Sequence, residues 1–258
     1  MIPLRAARTP VLVAVAHGTR DPAGIRTIHH LLSRVRALRP DLRVRAGFLD
    51  HADPGLAKTL DGLRGTPVVV PLLLGTGYHV RTDIPAALAA AGFGRAPVAR
   101  VLGPDPLLAS ALDDRLREAG RAGHARGQAV VLAAAGSRDP ATNAATAEAA
   151  RLLEVRLGCP VVPSYLSGAS PTPAEAVAAL RARGHRYTAV APYLLAPGFF
   201  ARRAAACGAS VTCAPLGAHE AVARLVLRRY DEACLRAAPL PAPGRSRSRS
   251  LRTASLPR

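Results

Sequence analysis

The feature that most constrains this 258-residue chain is that it repeats itself. His17-Gly18-Thr19-Arg20-Asp21-Pro22 is echoed by Ala135-Gly136-Ser137-Arg138-Asp139-Pro140, roughly 120 residues on. Pro71-Leu72-Leu73-Leu74-Gly75-Thr76-Gly77-Tyr78-His79 is echoed at a similar offset by Pro192-Tyr193-Leu194-Leu195-Ala196-Pro197-Gly198-Phe199-Phe200. Phe48-Leu49-Asp50 has its echo in Tyr165-Leu166-Ser167, and Leu102-Gly103 in Leu216-Gly217. Several motifs repeated in one order point to two copies of one fold. The expected domains are 1–120 and 128–236, joined by a short linker around 121–127 and followed by a Pro-, Ser- and Arg-rich tail at 237–258. The tail has too few apolar residues to build a core and is expected to be disordered.

Within the first copy, apolar strands alternate with helical periods. Val11 to Ala16 reads as a strand, and Ile25, Ile28, Leu31, Leu32, Val35 and Leu38 as one face of a helix that Pro40 stops. Arg43 to Leu49 reads as a second strand, and Leu56, Leu60 and Leu63 as a second helix. Val68 to Leu74 is apolar throughout, as in a parallel strand buried on both faces. Thr82 or Asp83 can cap a helix that carries Pro85 in its first turn. Val98 to Leu102 reads as a fourth strand and Pro106 to Ala119 as a helix. This alternation predicts an α/β fold of two tandem similar domains, each a small parallel sheet flanked by helices.

The two copies differ in their polar strand ends. His17, Asp50 and His79 correspond to Ala135, Ser167 and Phe200. A fold needs none of these three polar groups, so their joint loss indicates that the first copy keeps chemistry and the second keeps shape. His17 and His79 both follow strands at the carboxyl edge, where open α/β sheets bind ligands. Asp50 reads either as a partner of the imidazoles or as the cap of its own turn. His51 beside it is a weaker candidate ligand, and His29 and His30 sit on the first helix as solvated or packed residues. Gly18 and Gly77 allow close backbone approach. Gly75-x-Gly77 lacks the pattern of a dinucleotide fingerprint, and no Walker motif occurs.

Composition narrows the partners. The net charge is +18, nearly all from arginine, since Lys58 is the single lysine. Such a chain attracts polycarboxylates, phosphates or nucleic acid. Arg20 and Arg81, beside the two histidines, read either as solvated charges or as contacts for substrate carboxylates. Nucleic acid is not an expected partner of the globular part: aromatics are 3% of the chain, leaving few stacking platforms, and no nucleic-acid motif is present. Cys159, Cys207, Cys213 and Cys234 form no C-x-x-C pair and read as reduced thiols. No apolar run reaches the ~20 residues that span a bilayer, and no signal-peptide core follows Met1, so a cytoplasmic protein is expected.

Laid side by side, Ala16-His17-Gly18-Thr19-Arg20, Phe48-Leu49-Asp50 with Pro54, and Val70-Pro71-Leu72-Leu73-Leu74 leading to Gly77-Tyr78-His79 and Asp83-Ile84-Pro85 resemble the sirohydrochlorin chelatase family of the CbiX/SirB type. The resemblance covers 11–118, and 129–234 as a degraded second copy. It implies a type II chelatase fold with two α/β domains facing across a cleft. It also implies insertion of Fe2+ or Co2+ into sirohydrochlorin without ATP, in siroheme or cobalamin biosynthesis. The metal is then a substrate, and no permanently bound cofactor is expected. The family histidines map onto His17 and His79, as catalytic and metal-binding residues. Asp50 stands where the family usually has glutamate, one methylene longer. The second copy supplies an internal partner, so a monomer is expected. The competing expectation is a non-catalytic protein that binds and delivers a tetrapyrrole or a metal.

Overall fold

A computed structural model describes residues 9–121 and 127–237; the expected tail and most of the linker lie outside these residues. The first half runs β1 (Val11–Ala16), α1 (Pro22–Leu38), β2 (Val44–Phe48), α2 (Leu56–Asp61), β3 (Pro67–Pro71), a π-helical turn (His79–Asp83), α3 (Ile84–Ala90) and α4 (Pro106–Glu118). The second runs β4 (Gln128–Ala134), α5 (Pro140–Leu157), β5 (Val161–Tyr165), α6 (Pro173–Ala182), β6 (Tyr187–Tyr193), α7 (Phe199–Ala205), β7 (Val211–Thr212) and α8 (Glu220–Ala237). The strands form two parallel sheets, β2-β1-β3 and β5-β4-β6-β7. β1 and β4 are buried at every position, as the apolar runs require of central strands covered on both faces.

The repeat holds down to individual hydrogen bonds. Asp21 caps α1 by accepting from Ala23 N at 2.9 Å, and Asp139 caps α5 by accepting from Ala141 N at 3.0 Å. Proline follows each cap at the first helical position, where its missing N–H has no partner to lose. Asp50 N donates to His17 O at 2.8 Å, and Ser167 N to Ala135 O at 2.9 Å, so each first loop is latched to the loop after the second strand.

Two expectations for the first half are corrected. The segment from Val98 to Leu102 does not form a strand: it touches β3 through a single bridge, Val98 with Val69. Its Val101 and Leu102 carbonyls accept instead from the buried Arg229 guanidinium, at 2.9 and 3.1 Å. Neither Thr82 nor Asp83 caps α3. The chain is already helical from His79, so Asp83 has α-helical dihedrals and makes no capping bond.

The last helix of each half packs on the other. α4 lies against α5 and β6, whereas α8 lies against α1 and β3. Leu112 and Leu116 of α4 and Val222 and Val226 of α8 join both sheets in one continuous core. Smaller clusters cover the outer faces under α2 with α3 and under α6 with α7. The exchange brings the carboxyl edges of β1, β3, β4 and β6 together around one cavity.

Candidate active site

The cavity has a volume of about 760 Å3 and takes residues from both halves. From the first come His17, at the end of β1, and His79, which opens the π turn after β3. Their rings meet edge to face with centroids 4.6 Å apart. From the second come Ala135 and Phe200, the counterparts of the two histidines, together with Ser137, Thr142, Thr146 and Arg202, so an imidazole-bearing wall faces one without imidazoles. Gly18, Arg20 and Gly77 also line the cavity. Tyr78 and Phe199, at matching positions, are both largely exposed.

His79 is held by a partner that the sequence did not suggest. Asp83, one helical turn on, places Oδ2 2.5 Å from His79 Nδ1. A carboxylate only accepts, so Nδ1 carries the proton and Nε2 is the nitrogen left for another ligand. The signal was present in the i, i+4 spacing, but it counts only if position 79 is helical, and the glycines at 75 and 77 read as a loop. His17 makes no hydrogen bond through its ring to another described residue, and its position is set by its backbone through Asp50.

Asp50 is placed differently from either imidazole. It is not among the residues lining the cavity. Its Oδ1 accepts from the His51 backbone N–H at 2.8 Å, and its Oδ2 lies 3.0 Å from His51 Nε2. The cause is local: His51 has a φ of 53°, a left-handed turn that folds its ring back onto the preceding carboxylate. His51, the weaker candidate, lines the cavity. Arg81 does not line it. Its guanidinium reaches Asp139 of the second half at 2.5 Å.

Among the described residues, no group of three or more His, Cys, Asp or Glu side chains is arranged to hold a metal ion. Burial pushes the Cys213 thiol up to about 12, which leaves it protonated. The Arg202 guanidinium and the Ala23 N–H hold the Asp21 carboxyl below the usual carboxylate range, and Arg81 with Ala141 N–H does the same for Asp139.

The CbiX family model matches residues 11–119 and again 129–233, both halves of the chain. The chain belongs to the CbiX family. Two matches to one family description explain the internal repeat as a duplicated CbiX unit. Sirohydrochlorin cobaltochelatase of Methanosarcina barkeri is 29% identical over 123 residues, covering 42% of this chain and 95% of that protein. Sirohydrochlorin ferrochelatase of Priestia megaterium is 28% identical over 194 residues, covering 71% of this chain and 72% of that protein. Among solved structures, SirB from Bacillus subtilis with Fe3+ aligns with a TM-score of 0.74 at 23% identity, over 87% of this chain and 95% of that one. SirB from Bacillus subtilis subspecies spizizenii in complex with cobalt aligns at 0.69 and 22%, with the same coverage. These likenesses show that the chain shares its fold with the SirB structures. No helix among the described residues is long and apolar enough to cross a membrane.

Proposed function

We propose that this protein inserts Fe2+ or Co2+ into sirohydrochlorin, or a closely related tetrapyrrole, without ATP. The observation that carries the reading is the His17–His79 pair, 4.6 Å between ring centroids, on one wall of a cavity that the second half completes. Metal insertion breaks two pyrrole N–H bonds while the aqua ion loses water. A neutral imidazole can ligate a borderline divalent metal or accept a proton. Two imidazoles can do both in turn without a closed four-ligand cage that would retain the metal. Asp83 supports His79 in this by fixing its tautomer, which leaves Nε2 for the metal or the leaving proton. Leu194, Leu195 and Phe200 offer the macrocycle an apolar surface to lie on, and Arg20 and Arg202 in the lining suit its acidic side chains. Residues 1–120 then carry the chemistry and 128–236 complete the cavity, so one chain acts as a monomer with no resident cofactor.

Mixing substoichiometric protein with sirohydrochlorin and Co2+ or Fe2+ tests the reading by the absorbance of the product. Multiple turnovers are expected, and His17→Ala or His79→Ala is expected to lower the rate by about 10²-fold or more. Wild-type rates in both variants would refute it. A change that stops at one equivalent would make the protein a carrier instead.

A further inference from the structure

Two ion pairs join the halves, one of them among the residues that line the cavity, and each is the copy of the other. Arg81 Nη2 meets Asp139 Oδ2 at 2.5 Å, and Arg202 Nη1 meets Asp21 Oδ2 at 2.8 Å. Arg81 follows His79 by two positions and Arg202 follows Phe200 by two. Asp21 and Asp139 are the N-caps of α1 and α5. Each bridge therefore runs from the helix start after the third strand of one half to the first helix cap of the other. Arg202 and Asp21 line the cavity with His17, while Arg81 shares the π turn with His79.

Three properties make them exchangeable. Both guanidiniums are well exposed, at 58% and 69%, and exposed pairs of this kind contribute little net stability. In each aspartate the two duties fall on different oxygens: Oδ1 accepts from the helix N–H and Oδ2 meets the arginine. The cap therefore survives when the arginine leaves. Finally, an arginine fork recognises any carboxylate, whether carried by the chain or by a ligand.

We propose that Asp21 and Asp139 occupy the places of substrate carboxylates, and that Arg202 and Arg81 transfer from them to acidic side chains of the entering tetrapyrrole. The transfer exchanges one ion pair for another at each arginine and releases the two cross-cleft bridges as the macrocycle seats. Asp21 and Asp139 are then internal competitors of the substrate. The inference rests on the chelatase reading for the identity of the ligand.

The test is equilibrium binding of metal-free sirohydrochlorin to the full chain at low ionic strength, followed by its absorbance. Asp139→Asn keeps the capping oxygen, because asparagine caps as well as aspartate, and removes the competing charge. It is expected to tighten binding by about two- to fivefold, the range of an exposed pair. High salt should erase the gain. Arg81→Gln should weaken binding, and the double variant should match Arg81→Gln, since Asp139 acts only through Arg81. Unchanged or weaker binding by Asp139→Asn overturns the exchange. A wild-type protein that binds sirohydrochlorin but turns over neither metal sinks the enzyme reading and leaves the exchange standing. One that does not bind sirohydrochlorin overturns both.

Discussion

Gly18 shows how a residue beside a site can serve the fold. Its φ is 97°, and a Cβ there would lie 1.7 Å from Asp50 O. Gly136 repeats this with a φ of 86° and a Cβ position 1.9 Å from Ser167 O. Since the second copy keeps the glycine after losing the histidine, the requirement comes from the latch between two loops. Gly18→Ala is expected to destabilise the protein by about 2–4 kcal/mol, through backbone strain and overlap. No described residue lies within 4 Å of where a Cβ at Gly77 would stand, so Gly77→Ala should stay within about 0.5 kcal/mol. Urea unfolding midpoints measure both. Gly18 could be marked from the sequence as a loop glycine, but not the atom that requires it, because Asp50 O arrives from another strand.

At the scale of elements, the two copies diverge where His79 stands. The first opens α3 through a π turn from His79 to Asp83; the second starts α7 directly at Phe199. A π turn is rare and is found disproportionately at functional sites. Here it holds the imidazole and its carboxylate on one face. A pH-sensitive group sits at the start of α8. His219 Nδ1 accepts from Ala221 N at 3.2 Å, which requires that nitrogen to be unprotonated. Burial, then Arg115, hold the His219 pKa below its usual 6.5, outweighing Asp114. The unfolded chain therefore binds the proton more readily than the folded one. The cap is fully present above pH 6.5 and its contribution is lost as the pH falls through the lower folded value. His219→Asn keeps a capping side chain and removes this titration. Its unfolding midpoint should fall less than that of the wild type between pH 7 and 5, measured by thermal melts.

Across the whole molecule, the exchanged helices join the two halves in one core. Arg229 of α8 is 5% exposed and donates to Val101 O, Leu102 O and Asp105 Oδ2 of the first half. Asp105 also caps α4, which packs on the second half. Arg228 is its other partner. Arg229→Leu leaves two buried carbonyls without a donor and weakens the neutralisation of a buried carboxylate. A loss of about 3–5 kcal/mol is expected, read as a lower urea midpoint. Far-ultraviolet circular dichroism and tyrosine fluorescence should still report one shared transition, because a single core spans both halves.

The alternation of strands and helices through β3, the duplication, and the pairing of His17 with His79 were all present in the sequence. Apolar period and repetition are local properties, and an imidazole retained in one copy but absent from the other needs no coordinates to be noticed. The fourth strand at Val98 to Leu102 misled, because β-propensity carries no information about Arg229, more than a hundred positions away, which takes its carbonyls. Separation along the chain also hid the cross-cleft bridges, whose partners stand 58 and 181 positions apart. It also hid the exchange of α4 and α8. An amphipathic pattern specifies which face of a helix must be covered. Which sheet covers it is decided by tertiary packing, and here that packing is what closes the cavity around the two histidines.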